Sequence, residues 1–196
     1  MPTIDLGICV PTSHSLSEEI ESNILVSLKT LFQQTDVEFI SAYLYDEKTD
    51  FGVDLFVLNN SLQQIINSKP YNRITFMVNG KSCFVTIGFI EKDITIGINV
   101  DYDFFSDSSQ RSTSSGLIDF LQENFYALHQ KIRYQFAFAD FDAEFEYSYS
   151  QLIEMIRDET IPYCLLIIDD HGLLKHYRSS YDLLGCHYLE NKLDFS

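Results

Sequence analysis

The most constraining feature of this 196-residue chain is a long run of alternating apolar and polar residues, from Ile74 to Asp101. Residues 74–78 lead to Asn79-Gly80, a dipeptide that accepts positive φ and suits a two-residue hairpin turn. Residues 81–90 return from that turn, and residues 94–100 alternate again after a polar turn. Because strand side chains point to opposite faces with a period of two, we predict an antiparallel meander with one dry and one more polar face.

Two longer segments carry the apolar period of an amphipathic helix, from about Leu16 to Gln33 and from Leu117 to about Lys131. A short helix is expected after Ser148 or Ser150. The strands cluster between these helices without regular β–α alternation. We therefore predict an α+β fold in one domain of residues 1–196, with a mostly antiparallel sheet covered by two long helices and shorter ones.

Charge and hydropathy exclude several classes of function. The chain has 13 Lys and Arg against 29 Asp and Glu, a net charge of −16. Binding to a phosphate backbone needs clustered basic residues, so we predict no direct nucleic-acid binding. The longest apolar run, Ile161–Ile168, contains a proline and is shorter than the roughly 20 residues of a membrane helix. No Lys or Arg precedes Lys29, so we expect no secretory signal, no membrane association and a cytoplasmic protein.

Well-marked catalytic motifs are absent from the sequence: there is no glycine-rich phosphate loop, no His-Glu-x-x-His and no Gly-x-Ser-x-Gly. We therefore predict a non-enzymatic protein without cofactor or metal. One alternative is a small metal-dependent enzyme using Asp169, Asp170 and His171, because strand-end clusters of acids and histidines bind divalent metals. The same residues with Gly172 also suit an ordinary turn, the interpretation that we favour. His129 is interpreted as a helix-surface residue.

The most informative stretch for function runs from Ala139 to Tyr147, where acidic residues alternate with apolar ones. In a strand, this spacing puts all the carboxylates on one face, where a cationic partner would relieve their repulsion. We predict an acidic partner-binding edge; the alternative is a solvated face that only protects an edge strand from aggregation. The apolar parity shifts near Ala139-Asp140, which predicts a bulge or break there. The candidate residues are Asp140, Asp142, Glu144 and Glu146.

A second acidic group follows the predicted meander and includes two aromatic residues. Asp101, Asp103 and Asp107 lack the glycine and terminal glutamate of a calcium loop at the proper offsets. If this group lies near the first one, the two form one acidic surface with aromatic anchors. The candidate partner-binding residues here are Asp101, Asp103, Phe104 and Phe105.

In size, acidic α+β character and the stretch Asp140–Tyr147 leading into Ser150-Gln-Leu-Ile-Glu, the chain resembles the immunity proteins of bacterial polymorphic and contact-dependent toxin systems. The resemblance implies a cytosolic, non-enzymatic inhibitor that binds one cognate toxin. Many such toxins are basic nucleases, whose active clefts complement an acidic partner. A structural or oligomerisation module is a further alternative, and the sequence leaves the oligomeric state open.

Overall fold

A computed structural model describes residues 3–11, 16–46, 51–56, 71–105, 114–141, 143, 145–179, 183 and 194–195. Ten strands of this part of the chain form one sheet. They are β1 (Thr3–Val10), β2 (Val37–Asp46), β3 (Phe51–Phe56), β4 (Tyr71–Val78), β5 (Lys81–Ile90), β6 (Asp93–Asp101), β7 (Phe136–Phe141), β8 (Leu165–Asp170), β9 (Leu173–Arg178) and β10 (Asp194–Phe195). The helices are α1 (Leu16–Leu31), α2 (Ser114–His129) and α3 (Tyr149–Arg157), with a short 3-10 helix at Tyr102–Phe105.

The strand order is β10-β9-β8-β7-β1-β6-β5-β4-β2-β3, and the neighbouring strands pair antiparallel. The α+β class and the mostly antiparallel sheet are therefore confirmed. β1 lies near the centre, between β6 and β7. None of the described helices is long and apolar enough to cross a membrane.

Two tight turns use residues that tolerate positive φ. Asn79 and Gly80 have φ of 49° and 77°, and Val78 pairs with Lys81 across them. His171 and Gly172 have φ of 56° and 91° between the paired residues Asp170 and Leu173. Both dipeptides therefore form the hairpin turns that their chemistry predicts.

One face of the sheet, which we call the first face, carries the main hydrophobic core. Alternate residues of the central strands point into it and are buried, as Ile4, Leu6, Ile96 and Ile98 show. α1 and α2 contribute a stripe to the same core: Ile20, Ile24, Leu28, Leu117, Leu121, Phe125 and Leu128. The helices also hydrogen-bond, because buried Asn124 donates to the Leu31 carbonyl at 3.1 Å and so satisfies a helix-end acceptor.

The opposite or second face is covered over only part of its width. Phe136, Phe138 and Ile168 form a smaller core there with Leu152 of α3. The Tyr149 hydroxyl also ties α3 to β8 by donating to the Asp169 carbonyl at 3.1 Å. On the side of β1 away from β7, residues of β6 and β5 form the floor of an open groove on this face.

The predicted acidic edge strand is not formed. β7 lies between β1 and β8, well inside the sheet, and it ends at Phe141. Described residues after Phe141 run in irregular conformation to α3. The sequence predicted a bulge or break near Ala139-Asp140, and β7 ends next to these residues, at Phe141.

Candidate partner-binding groove

A groove of about 1020 Å³ lies on the second face, lined by described residues. Strands β5 and β6 supply its floor, and one wall comes from the chain between β7 and α3, including Phe145, Glu146 and Tyr147. A volume of this size matches the upper end of ligand pockets. The groove is therefore the strongest candidate for a binding site.

Small residues keep the groove floor low. Gly97 of β6 pairs with Thr86 of β5, and a Cβ atom on Gly97 would meet the Thr86 hydroxyl at 2.5 Å. Next to this pair, Gly7 of β1 lies under the Phe138 ring, which a Cβ on Gly7 would meet at 2.0 Å. Glycine at position 7 thus lets an aromatic ring of β7 lie across β1.

A polar row crosses the floor, one residue from each of three neighbouring strands. Asp140 of β7 pairs with Asp5 of β1, which pairs with Asn99 of β6. Asp5 accepts hydrogen bonds from the Asn99 side chain at 2.7 Å and from the Ala143 backbone N–H at 2.9 Å. The second bond fixes the chain where it leaves β7 and begins the groove wall.

Asp140 is half-buried beside this row. Its Oδ1 accepts from the Phe141 backbone N–H at 2.7 Å and from the Cys164 thiol at 3.0 Å. Burial raises the pKa of the Asp140 carboxyl, and these hydrogen bonds oppose the rise.

Aromatic rings form the wall beside Asp140. Phe138 stacks on Tyr163 with centroids 4.0 Å apart and planes 6° apart, and Phe145 meets Phe138 edge-on at 4.9 Å. Burial raises the pKa of Tyr163, a hydrogen bond with the Glu146 backbone lowers it, and the nearby charges of Glu146 and Asp140 raise it. Tyr147 meets Tyr163 edge-on at 6.2 Å. We call Asp140, Glu146, Tyr147 and Tyr163 the acidic–aromatic end of the groove.

Most of the charged residues that line the groove are acidic. Its described charged residues are three carboxylates (Asp5, Asp140 and Glu146) and one cation, Arg73. The Arg73 guanidinium lies over the Phe84 ring, 4.4 Å from its centroid, so the cation sits at the β4–β5 side. The arrangement favours a cationic ligand at the opposite, acidic–aromatic end.

Of the four carboxylates predicted to share one strand face, the two that the structure describes lie in different surroundings. Asp140 remains in β7 and is half-buried, whereas Glu146 is exposed in the groove wall. Asp142 and Glu144 lie outside the described residues. The strand prediction failed because Phe145 folds back onto Phe138, and an extended β7 would carry it away from that ring.

Asp101 is the one acidic residue of the second predicted group whose side chain the structure describes. Asp101 is exposed at the end of β6 and pairs with Thr3, so only β1 separates it from the end of β7. The side chain of Asp103, and Asp107 as a whole, lie outside the described part of the chain.

The two aromatic residues of that group belong to the first-face core. Phe105 is 1% exposed and contacts Phe32 with centroids 5.8 Å apart. Phe104 is half-buried with its centroid 4.8 Å from that of Phe32. The prediction that Phe105 anchors a partner is therefore wrong, because its ring completes the core where α1 ends.

Asp169 and Asp170, the carboxylates of the alternative metal site, have separate partners. Asp169 accepts from the Gly172 N–H and lies 3.0 Å from His129 Nε2, while Asp170 binds Lys175 at 2.6 Å. His171 is 99% exposed in the turn. Across the described residues, no group of three or more His, Cys, Asp or Glu side chains is placed to hold a metal ion.

His129 was predicted to lie on the surface of its helix, and this prediction is wrong. It is 3% exposed, pairs with Asp169 across α2 and β8, and contacts the Tyr134 ring edge-on at 4.8 Å. The buried contact ties the end of α2 to the sheet.

Sequence reasoning missed Asp5, Arg73 and Phe84 as groove residues. The signal for part of the floor was present, since Thr95, Gly97 and Asn99 form the polar set of the alternating β6 sequence. What no local pattern showed was that β7 and β1 add Asp140 and Asp5 to that polar face.

In comparisons with family models, curated proteins and solved structures, the chain has no significant match.

Proposed function

We propose that this protein is an immunity-type inhibitor that binds a basic protein partner, a toxin domain, through the groove on the second face and occludes its working surface. In this proposal it acts in the cytoplasm as a binding protein rather than an enzyme. The observation that carries the proposal is the 1020 Å³ groove, which combines carboxylates with aromatic rings.

Electrostatics support a basic partner. The chain carries a net charge of −16, which accelerates encounter with a cationic surface. Glu146 is exposed beside aromatic rings, so charge attraction and apolar contact are available at one place. Aromatic residues at the centre of an interface supply much of the binding energy.

Capture of the tagged chain from a lysate of the cells that express it, at about 0.15 M salt, tests the proposal, because that salt already screens loose charge contacts. We expect a stoichiometric basic protein whose activity is inhibited in the complex. Association measured by stopped flow should slow about tenfold between 0.05 and 0.5 M salt.

A matched pair of charge reversals locates the surface. Glu146→Lys changes the groove wall. Glu123→Lys makes the same charge change at an exposed position on α2, the helix that packs on the first face, away from the groove. Binding should weaken at least about tenfold in Glu146→Lys and much less in the control. Equal weakening of both variants, or association that salt leaves unchanged, would contradict groove-directed binding.

A further inference from the structure

The acidic–aromatic end brings two carboxylates and two phenol rings together. The Tyr163 hydroxyl hydrogen-bonds with the Glu146 backbone, and its pKa responds to the charges of both Glu146 and Asp140. Partial burial and a hydrogen bond with the Glu146 side chain raise the pKa of Tyr147. The carboxylates therefore lie against the aromatic wall rather than apart from it.

This combination suits arginine better than lysine. A guanidinium is planar, weakly hydrated and carries five donors, so it can stack on a ring while donating to a carboxylate. An ammonium group is a compact, strongly hydrated charge without a stacking face. The groove already holds one stacked guanidinium, that of Arg73 on Phe84, on the side away from Glu146.

The floor of the groove is open on its β5 side, where Thr86 is exposed. Gly88, Thr95, Gly97 and Thr86 line the groove between its two sides. Thr95 is buried, and the Phe145 ring lies 3.7 Å from the position of a Cβ on Gly97, whereas Thr86 is exposed. An incoming segment therefore meets the open floor at Thr86, beside the Phe145 ring.

We propose, building on the proposed function, that the groove receives an extended segment of the partner through one arginine, whose guanidinium lies against Tyr147 and pairs with Glu146. The partner is then recognised by a single arginine and its neighbours, and general basicity contributes to encounter rather than to specificity. Asp140, held in place by Cys164 and Phe141, contributes negative charge to the same end.

Retention of defined peptide pools on the immobilised full-length protein tests this inference. Each pool contains acetylated, amidated nonapeptides with randomised neutral flanks and one fixed central residue: arginine, lysine or citrulline. We expect the arginine pool to be retained about tenfold over the citrulline pool and several-fold over the lysine pool. Citrulline keeps the shape of arginine without its charge, and lysine keeps the charge without the planar fork.

Two variants assign the preference to the groove. Glu146→Gln should remove most of the preference for arginine, whereas Glu123→Gln should leave it unchanged, with both variants folded by circular dichroism. Equal retention of the three pools, including no retention of any, would overturn the inference, as would an arginine preference that survives Glu146→Gln.

The outcomes for function and for arginine recognition are separable. A captured basic partner that depends on Glu146, together with equal retention of the pools, rejects arginine recognition and leaves the proposed function standing. An arginine preference that depends on Glu146, without any captured inhibitory complex, supports the groove chemistry and rejects the inhibitor.

Discussion

The two faces of the sheet are built from the same strands but have different surroundings. On the first face, residues such as Ile96, Ile98 and Val85 are buried under α1 and α2. On the second face, their neighbours Gly97, Asn99 and Thr86 line an open groove. The first face contributes stability through burial, whereas the second leaves surface for a ligand.

The second face is itself divided. Near β7 and β8 it is covered by aromatic rings and α3, and Cys9 is buried there with its pKa raised to about 12, mainly by burial. Cys83 on the first face has its pKa raised to about 12 by burial as well. Both cysteines are almost fully buried, with Cys9 1% and Cys83 0% exposed, so each core excludes solvent at these positions. The groove begins where the aromatic cover of the second face ends.

The largest expected difference between the faces comes from truncating one phenylalanine on each. Phe76 is fully buried on the first face, so Phe76→Ala should lower the free energy of unfolding by about 3–5 kcal/mol. Phe84 is only half-buried under Arg73, so Phe84→Ala should cost about 1–2 kcal/mol. Urea denaturation measures both, and equal losses would show that the faces do not differ as described.

A methyl group at Gly7 should perturb the covered part of the second face. Gly7→Ala places a Cβ in the Phe138 ring, so we expect a loss of about 1–3 kcal/mol in thermal or urea unfolding. Phe138→Leu in the same chain should make the added methyl less costly, because the smaller side chain leaves room. A Gly7→Ala variant as stable as the parent would contradict the placement of this ring.

The pH dependence of the free energy of unfolding should reveal the raised pKa of Asp140. Burial raises its pKa in the folded state, so below the ordinary carboxyl pKa of about 3.9 both states are protonated. As pH rises from there through the raised folded pKa, the folded state holds its proton longer and the parent loses stability. The stability of the parent relative to Asp140→Asn should therefore fall over the pH interval that begins near 4 and ends above the raised folded-state pKa. An increase across that interval in urea unfolding would contradict a raised pKa.

The smallest effect is expected at Phe89, which is 62% exposed near the end of β5. Phe89 is on the same face of β5 as Val85, which is buried. The residues of β5 after Val85 are half-buried or exposed, so the core does not reach the end of the strand. Phe89→Ala should change the free energy of unfolding by no more than about 0.5 kcal/mol. A loss near that of Phe76→Ala would mean that the core extends further along β5 than described.

Several local features were predictable because they depend on neighbours in sequence. The alternation of β6, the positive-φ turn at Asn79-Gly80 and the turn at His171-Gly172 all follow from side-chain period and turn chemistry. Asp140 and Glu146 were selected as candidates by their spacing, and both line the groove, although the reason given for them, one edge strand, was wrong.

By itself, the sequence determined the α+β class, the antiparallel turns and the strong negative charge, since each depends on composition or on residues a few positions apart. Only the tertiary structure decided which strands are neighbours, because pairing β1 with both β6 and β7 joins residues more than 80 positions apart. That pairing aligns Asp5, Asn99 and Asp140 in one row. Packing against the assembled sheet then buries His129 beside Asp169, and the ring of Phe105 lies in the core against Phe32. Burial depends on what packs from elsewhere in the chain, so the same residue type could be placed on a surface or in a core only once the sheet was assembled.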